Sequence, residues 1–500
     1  MKCFEAGRFF MAARKGSGGR AELGFWPGAA VLAAAAVLVY LPAMRGGFIW
    51  DDDILVTENP AVKTLNGLFA IWFGNWQGDY IPLTLTTFWA EWHLWGMHAA
   101  GYHIVNILLH AANAVLLWRV LARLGVPGSW LAALLFAVHP VCASSVVWIA
   151  ERKNTLSMLF YLLSLGWFLR HDEMVHLTVK NGDALRAAWD ASCHNHHSSE
   201  RTPLPALRGE GIGTSRDVGC ATRRVLWWSV GAFALALLAK SSAAVLPAVL
   251  LLFVWWRRGR VTRGDLRRCI PFFVLAVLMA LAAAAIQARA VRGGVGVIHD
   301  GLWVRLIGGS WAVWFYLGKI FAPTGLTMIY PRWEIDPRAA ISYLPGVLFA
   351  GLMFVFWRWR RSWGRPFLFA SGYFIVALAP ALGLVDLAFF SSSRVADHFQ
   401  YLALPGICAL IAGLTWQKQR VAKALAAVLA VAVLAVLTCR HEGVLADGRR
   451  LWEDNLAKNP NSWKVCMNLH DALVSEGRME EAVNYKERAD ELLKKTIMNQ

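Results

Sequence analysis

Long apolar runs, broken by short polar and mostly basic punctuation, set the pattern of this chain. The stretches Gly24 to Ala43, Ile270 to Gln287, Ile341 to Trp357 and Pro366 to Val385 contain no Asp, Glu, Lys or Arg. Each is close to the roughly 20 residues that a helix needs to cross the hydrocarbon of a bilayer. The pattern predicts an all-α fold, a polytopic membrane helical bundle of about eleven transmembrane helices. The first run is too long for the apolar part of a signal peptide and has no small-residue cleavage site, so it is expected to be a retained span.

Orientation follows from the basic punctuation, because cytoplasmic loops retain Lys and Arg during insertion. Clusters at Lys2 to Arg20, Arg119 to Arg123, Arg170 to Arg224, Arg257 to Arg268, Arg358 to Arg365 and Lys418 to Lys423 are all expected inside. Between Arg268 and Arg358 the chain must then cross an even number of times, yet it offers apolar stretches at 270–291, 303–321 and 341–357. The middle one contains Gly308, Gly309, Gly318 and Lys319 and ends at Pro323, which predicts an interfacial or re-entrant helix. The N-terminus is thereby inside and the C-terminus outside.

Two units are expected. Residues 1–440 form the transmembrane domain, with a first external loop at 44–99 and a disordered cytoplasmic insertion at 171–222 that is rich in His, Ser, Gly and Arg. Residues 441–500 form a charged, helix-forming extracytoplasmic tail with a tetratricopeptide-like spacing of about 34 residues. Counting from Pro460 starts a repeat at Trp463 and puts Leu469, Gly477, Ala482 and Ala489 at its apolar and small positions, with His470 at a usually small position and Tyr485 one residue early. So short an array buries little surface and is expected to dock on the membrane domain or on a protein partner.

Composition agrees with the pattern: 57% hydrophobic and only 17% charged residues leave too little polar surface for a soluble protein. A net charge of +17 raises nucleic acid as a partner. The basic residues fall in short clusters between apolar runs, however, and read as topology signals. The eight Cys are scattered without a CxxC pair, which supports neither a disulfide framework nor a zinc site.

Chemistry concentrates outside. Asp51, Asp52 and Asp53 follow the first span after a short turn, and adjacent carboxylates raise one another's pKa, which suits one of them to act as a general base. A solvated turn or a helix cap is the competing reading, while the GFIW that runs into the acids ties them to the mouth of a membrane cavity. Asp52 is the first choice and Asp51 the second. Glu151, Arg152 and Lys153, then Lys240, then Arg394, Asp397, His398 and Tyr401 also fall on the external side. External cations are a minority under the positive-inside rule, and a phosphate ligand is one reason to keep them; snorkelling to headgroups is the other. His139 precedes Pro140 at the end of a short apolar helix, where it can face the cavity or serve the structure. The HNHH run at 194–197 falls in the cytoplasmic insertion, away from this face.

These blocks resemble a known group, the bacterial relatives of the transmembrane-and-tetratricopeptide O-mannosyltransferases within the GT-C membrane glycosyltransferases. The resemblance is carried by GFIWDDDILVTENP (47–60), DYIPLTLTTFW (79–89), GYHIVNILLHAANAVLLW (101–118), LLFAVHPVCASSVVWIAERKNTLS (134–157), LLAKSSAAVLP (237–247), FYLGKIFAPTGLTMIYPRWEID (315–336) and RVADHFQYL (394–402). It implies a GT-C fold in a bacterial inner membrane and a polyprenyl-phosphate-linked sugar donor. It also implies sugar transfer to a protein or glycolipid hydroxyl on the periplasmic face. The acidic motif falls on Asp51, Asp52 and Asp53, and the family's basic residues on Arg152, Lys153, Lys240 and Arg394. Glu151, Tyr80, His139 and His398 lie within the same blocks as further sugar- or phosphate-binding candidates. The resemblance implies no cofactor or metal ligand and leaves a divalent cation open. A non-catalytic assembly protein and a lipid-linked sugar transporter are the rival readings. Retention of acids and external cations speaks against the first, and the absence of an inverted repeat against the second.

Overall fold

A computed structural model describes residues 18–74, 79–194, 215–292, 300–383, 388–416 and 421–498. Among the described residues there is no strand, and the fold is all-α. Long helices are α1 (Gly18–Tyr40), α2 (Pro82–Trp95), α3 (Ala99–Arg123), α4 (Ser129–Ala137), α5 (Arg152–His194), α6 (Ser215–Ala239), α7 (Leu246–Arg258) and α8 (Arg263–Arg292). They continue as α9 (Leu302–Phe321), α10 (Leu344–Arg358), α11 (Gly364–Leu378), α12 (Leu404–Trp416), α13 (Val421–Leu445), α14 (Gly448–Lys458), α15 (Trp463–Ser475) and α16 (Met479–Met498).

Among the described residues, six helical segments are long and apolar enough to cross a membrane: Gly24–Arg45, Ala99–Arg123, Ser241–Arg258, Arg263–Ile286, Ala340–Arg358 and Ala422–Leu445. A seventh is counted if the pair Ser129–Ala137 and Pro140–Val146, bent by 53°, is one broken span. Outward apolar side chains such as Leu425, Val428, Leu429 and Val433 on α13 are exposed. On a helix long enough to span, an apolar stripe of this kind fits a lipid-facing surface. The protein is a multi-pass integral membrane protein.

Several segments depart from the expectations. The run Pro366 to Val385 is shorter than a span, because α11 ends at Leu378 and a 3-10 turn forms at Ala379–Ala381, where Pro380 offers no N–H to continue the helix. The stretch 303–321, expected as an interfacial or re-entrant helix, forms the single helix α9 and is not among those six segments. Its glycines serve close approach: a Cβ on Gly309 would lie 2.9 Å from the Leu382 carbonyl oxygen. The first loop is itself folded. Short helices at Pro60–Lys63 and Gly67–Phe73 join α2 around a small core of Val56, Val62, Ile71, Ile81, Leu85, Phe88, Tyr102 and Ile149.

The insertion expected to be disordered at 171–222 is helical at both ends, as the continuation of α5 and the beginning of α6, and residues 195–214 lie outside the described residues. Its first residues are packed. His171 Nδ1 lies 2.9 Å from the Thr222 carbonyl oxygen. The buried Asp172 carboxylate is paired with Arg258, with Arg257 at 3.2 Å and with Arg268 at 3.4 Å. Within the expected run at 194–197 only His194 is described, as the last residue of α5.

Helix α13 runs past residue 440 to Leu445, so the tail begins at the break before Gly448. In the tail, Leu469, Ala482 and Ala489 are buried, and Gly477 takes φ +77 in the turn between α15 and α16. The ring of His470, set where a small residue was expected, has Nδ1 2.9 Å from the Ala482 carbonyl oxygen and so ties the two helices together.

Candidate active site

The three consecutive acids have three different environments. Asp52 is fully buried, and its carboxylate accepts the backbone N–H of Ile49 at 2.9 Å and of Ala150 at 2.6 Å. Burial pushes its pKa well up and these two backbone donors pull it back. With both oxygens engaged inside the protein, Asp52 staples the first loop to the turn before α5. Asp53 is exposed and accepts the Thr57 hydroxyl at 2.9 Å. Asp51 is the partly exposed one. Burial raises its pKa, Lys153 and Lys464 lower it, and Glu151 and Asp79 raise it.

Those neighbours define a cluster at the start of α5. Glu151, fully buried, receives Lys153 Nζ at 2.9 Å and Lys240 Nζ at 3.3 Å. Lys240 also donates to Asn154 Oδ1 at 2.7 Å, and Asn154 Nδ2 donates to the His398 carbonyl at 3.1 Å. Burial alone would raise the Glu151 pKa, but Lys153, Lys240 and His398 hold it well below the usual carboxylate range. Burial lowers the His398 pKa to about 4 against the pull of Glu151. Two ammonium groups thus share one fixed carboxylate, and Asp51 and Asp79 are the further acids that act on Lys153.

Trp148 is the hub of the site. Its buried ring lies flat on Trp50, with centroids 4.9 Å apart and planes within 6°, while Lys153 sits over it at 5.9 Å and the His398 ring meets it edge-on at 5.6 Å. Trp50 has φ +49, unlike every other non-glycine among the described residues. A bulky residue in that region costs about 1–3 kcal/mol and persists only where its surroundings hold it.

Other sequence candidates lie apart from this cluster. Arg152 is an interior brace: fully buried, it pairs with Glu91, bonds Asn106 and the Tyr102 carbonyl (2.8 Å), and lies over the Phe88 ring at 5.1 Å. Nothing of its guanidinium is left for a ligand. His139 is buried at the bend after α4, where Nδ1 accepts the Val141 N–H at 3.3 Å and Nε2 lies 3.0 Å from the Ile320 carbonyl oxygen. Tyr80 donates to the Trp72 carbonyl at 3.2 Å and braces the first loop. Arg394 joins Arg332 on Asp300, at 2.9 and 3.1 Å, beside a cleft also lined by Arg305, Gly308, Gly309 and Phe390. Asp397 is buried, accepts the Tyr330 hydroxyl at 2.9 Å, and has its pKa raised to about 7 by burial. Among the described residues no group of three or more His, Cys, Asp or Glu could hold a metal ion.

Sequence reasoning missed Asn154, Trp148 and Glu91. The lone acid of TFWAEWH, in an otherwise apolar helix, was the available sign that a buried cation must face Glu91.

Fold and site together define a multi-pass, all-α membrane protein that gathers acids and ammonium groups beneath a folded loop. No family model matches the chain. It is similar to human "Protein O-mannosyl-transferase TMTC4", 32% identical over 185 residues that cover 32% of this chain and 25% of that protein. It is likewise similar to mouse "Protein O-mannosyl-transferase TMTC1", 33% identical over 150 residues that cover 27% of this chain and 16% of that protein. In these alignments the chain spans a quarter or less of the length of the curated relatives it matches. The resemblance to the transmembrane-and-tetratricopeptide O-mannosyltransferases is therefore met by relatives of that name. Among solved structures, ArnT from Cupriavidus metallidurans bound to undecaprenyl phosphate aligns with 92% of this chain and 74% of its own, at 13% identity and a TM-score of 0.40. The Archaeoglobus fulgidus oligosaccharyltransferase tethered with an acceptor peptide aligns with 92% of this chain and 59% of its own, at 12% identity and a TM-score of 0.41.

Proposed function

We propose that the protein is a GT-C membrane glycosyltransferase of the O-mannosyltransferase kind. It moves a hexose from a polyprenyl-phosphate donor to a hydroxyl acceptor, a protein Ser or Thr foremost, on the extracytoplasmic face of a bacterial inner membrane. The observation that carries this reading is the partly exposed Asp51 carboxylate, which is subject to the charges of the buried Glu151 and of Lys153. A hydroxyl is a poor nucleophile, so the reaction needs a base on one side of the anomeric carbon and charge stabilisation of the leaving phosphate on the other.

Asp51 takes the base role, because Asp52 is committed to two backbone N–H groups and Asp53 points to Thr57. The acceptor oxygen bonds to the anomeric carbon as its proton passes to Asp51. The bond from that carbon to the phosphate oxygen breaks, and the polyprenyl phosphate leaves with the electron pair. Attack opposite the departing phosphate inverts the anomeric centre. Lys153 and Lys240 receive the phosphate. General-base help of this kind is worth about 10²–10⁴-fold.

Purified protein incubated with polyprenyl-phosphate mannose and a Ser/Thr peptide or a glycolipid should yield an acceptor heavier by one hexose in mass spectrometry. No increment with any lipid-linked hexose, from protein that is folded and monodisperse, would sink the enzyme reading in favour of an assembly protein. Accessibility labelling of single cysteines tests the sidedness, with the exposed position 53 and position 463 expected outside and 263 inside.

A further inference from the structure

The tail does more than follow the last helix. Gly47 N donates to the Ala446 carbonyl at 3.2 Å, and a Cβ on Gly46 would sit 3.3 Å from Ala446, so the end of α13 is pressed against the turn that leads into the acids. Lys458 Nζ donates to the Leu326 carbonyl at 2.8 Å, and Asn459 Nδ2 to the Ile329 carbonyl at 3.1 Å, which pins the far end of α14 to the segment after α9. Between these anchors the buried Trp452 ring meets Trp50 edge-on, centroids 5.2 Å apart and planes at 85°. Trp50 is thus held by Trp148 on one side and Trp452 on another, and it is the left-handed residue immediately before Asp51.

We propose that the C-terminal helices form a wall of the candidate active site, with Trp452 as a positioning residue that holds Trp50 in its left-handed conformation and so fixes where Asp51 points. Three observations carry this inference. A bulky side chain does not stay at positive φ unless its surroundings over-determine it. The surroundings here come from two parts of the chain, Trp148 of the membrane domain and Trp452 of the tail. Lys464, in α15, also acts on Asp51 and favours its charged form. The tail then belongs to the site itself, whatever partner its outer surface meets. The functional half of the inference rests on the reading of Asp51 as the base; the positional half does not.

The test uses the full-length protein in nanodiscs and two readouts. In a background with its native cysteines replaced, Asp51→Cys is labelled with a membrane-impermeant maleimide. Adding Trp452→Ala should speed labelling by about tenfold or more, while Trp452→Phe, which keeps an aromatic edge on Trp50, should label at close to the starting rate. In the otherwise native chain Trp452→Ala should lower kcat by about a hundredfold, the scale expected for a misplaced base, with the donor KM within about twofold. Trp452→Phe should restore most of that loss. If Trp452→Ala does not fold, Lys458→Met decides: it removes the anchor on Leu326 without touching the aromatic stack, and should speed labelling by about threefold or more. Unchanged labelling in a folded Trp452→Ala protein, or in Lys458→Met where that decides, overturns the proposal. Faster labelling in a protein whose parent transfers no sugar would leave the positional inference standing and remove the proposed function instead.

Discussion

Arg152 closes its guanidinium onto Glu91 inside the protein, while Lys153, the next residue, reaches the buried Glu151 of the candidate site. Neighbouring cations that look equivalent in the sequence therefore have opposite assignments. Breaking a buried pair by removing one partner leaves an uncompensated charge, at a cost of about 3–5 kcal/mol. Glu91→Ala and Arg152→Ala should each lower the melting temperature sharply, and the double variant should recover part of the loss. Lys153→Ala leaves the buried Glu151 its Lys240 partner, so it should lose less stability than Arg152→Ala and bind lipid donor more weakly. Thermal melts beside donor-binding isotherms separate the two; a stable Arg152→Ala protein with weakened donor binding would return Arg152 to the site.

The acids divide in the same way. Asp51→Asn should fold like the parent and lose transfer by about 10²–10⁴-fold at saturating donor, because an amide takes no proton. Asp52→Asn leaves the Ile49 and Ala150 N–H groups facing an amide with only one acceptor oxygen, so its first effect should be on stability, by about 1–3 kcal/mol. Asp53→Asn should be close to silent in both assays. Near-parental transfer by Asp51→Asn would remove its base role.

Protonation gives an independent reading of Asp51. Burial raises its pKa, Lys153 and Lys464 lower it, and Glu151 and Asp79 raise it, so the acid limb of the pH–kcat/KM profile should lie above the ordinary carboxylate value of 3.8. Lys464→Met removes a lowering influence and should shift that limb to higher pH; a limb that does not move would take Lys464 out of the site.

Stability should also depend on pH through Asp397. Its pKa is raised to about 7 by burial, offset in part by Tyr330, Lys319, the Thr327 N–H and Lys458. A carboxyl with a raised folded-state pKa contributes stability that is fully present below its unfolded value and lost as pH rises through about 7. Melting temperatures between pH 4 and pH 8, as about the span this group covers, should therefore fall with pH, and Asp397→Asn should flatten the slope. A parallel slope in the variant would assign the effect elsewhere.

Removing all of 171–222 should be poorly tolerated, because it deletes Asp172 and Glu173, two acids paired with Arg257, and leaves Asp265 to serve Arg258 and Arg268. Asp172→Ala alone should reproduce most of the loss, measured as the fraction of protein that stays monodisperse after mild heating. A well-behaved deletion protein would mean that the three arginines find other partners without cost.

The amino-acid sequence by itself determined the solvent and the class of fold. Whether a run such as Ile270 to Gln287 enters lipid depends on its summed transfer free energy, a property of composition that needs no partner. It also determined that the acids at 51–53 and the cations at 153 and 240 deserve attention, since charge beside apolar spans is costly wherever it ends up. Tertiary structure decided which of them meet. Successive helical residues point about 100° apart, so Arg152 turns inward to Glu91 while Lys153 turns to Glu151, a distinction that depends on where α2 and α5 pack and not on either residue type. The same holds for the acids. Asp52 is satisfied by Ala150 from the turn before α5, and Asp51 is left facing the site, only because the first loop folds back onto that turn. The packing partner of the tail was the least legible: docking on the membrane domain was one of two expectations, but the contact of Trp452 with Trp50 joins residues about 400 positions apart, and no local pattern encodes a packing partner at that separation.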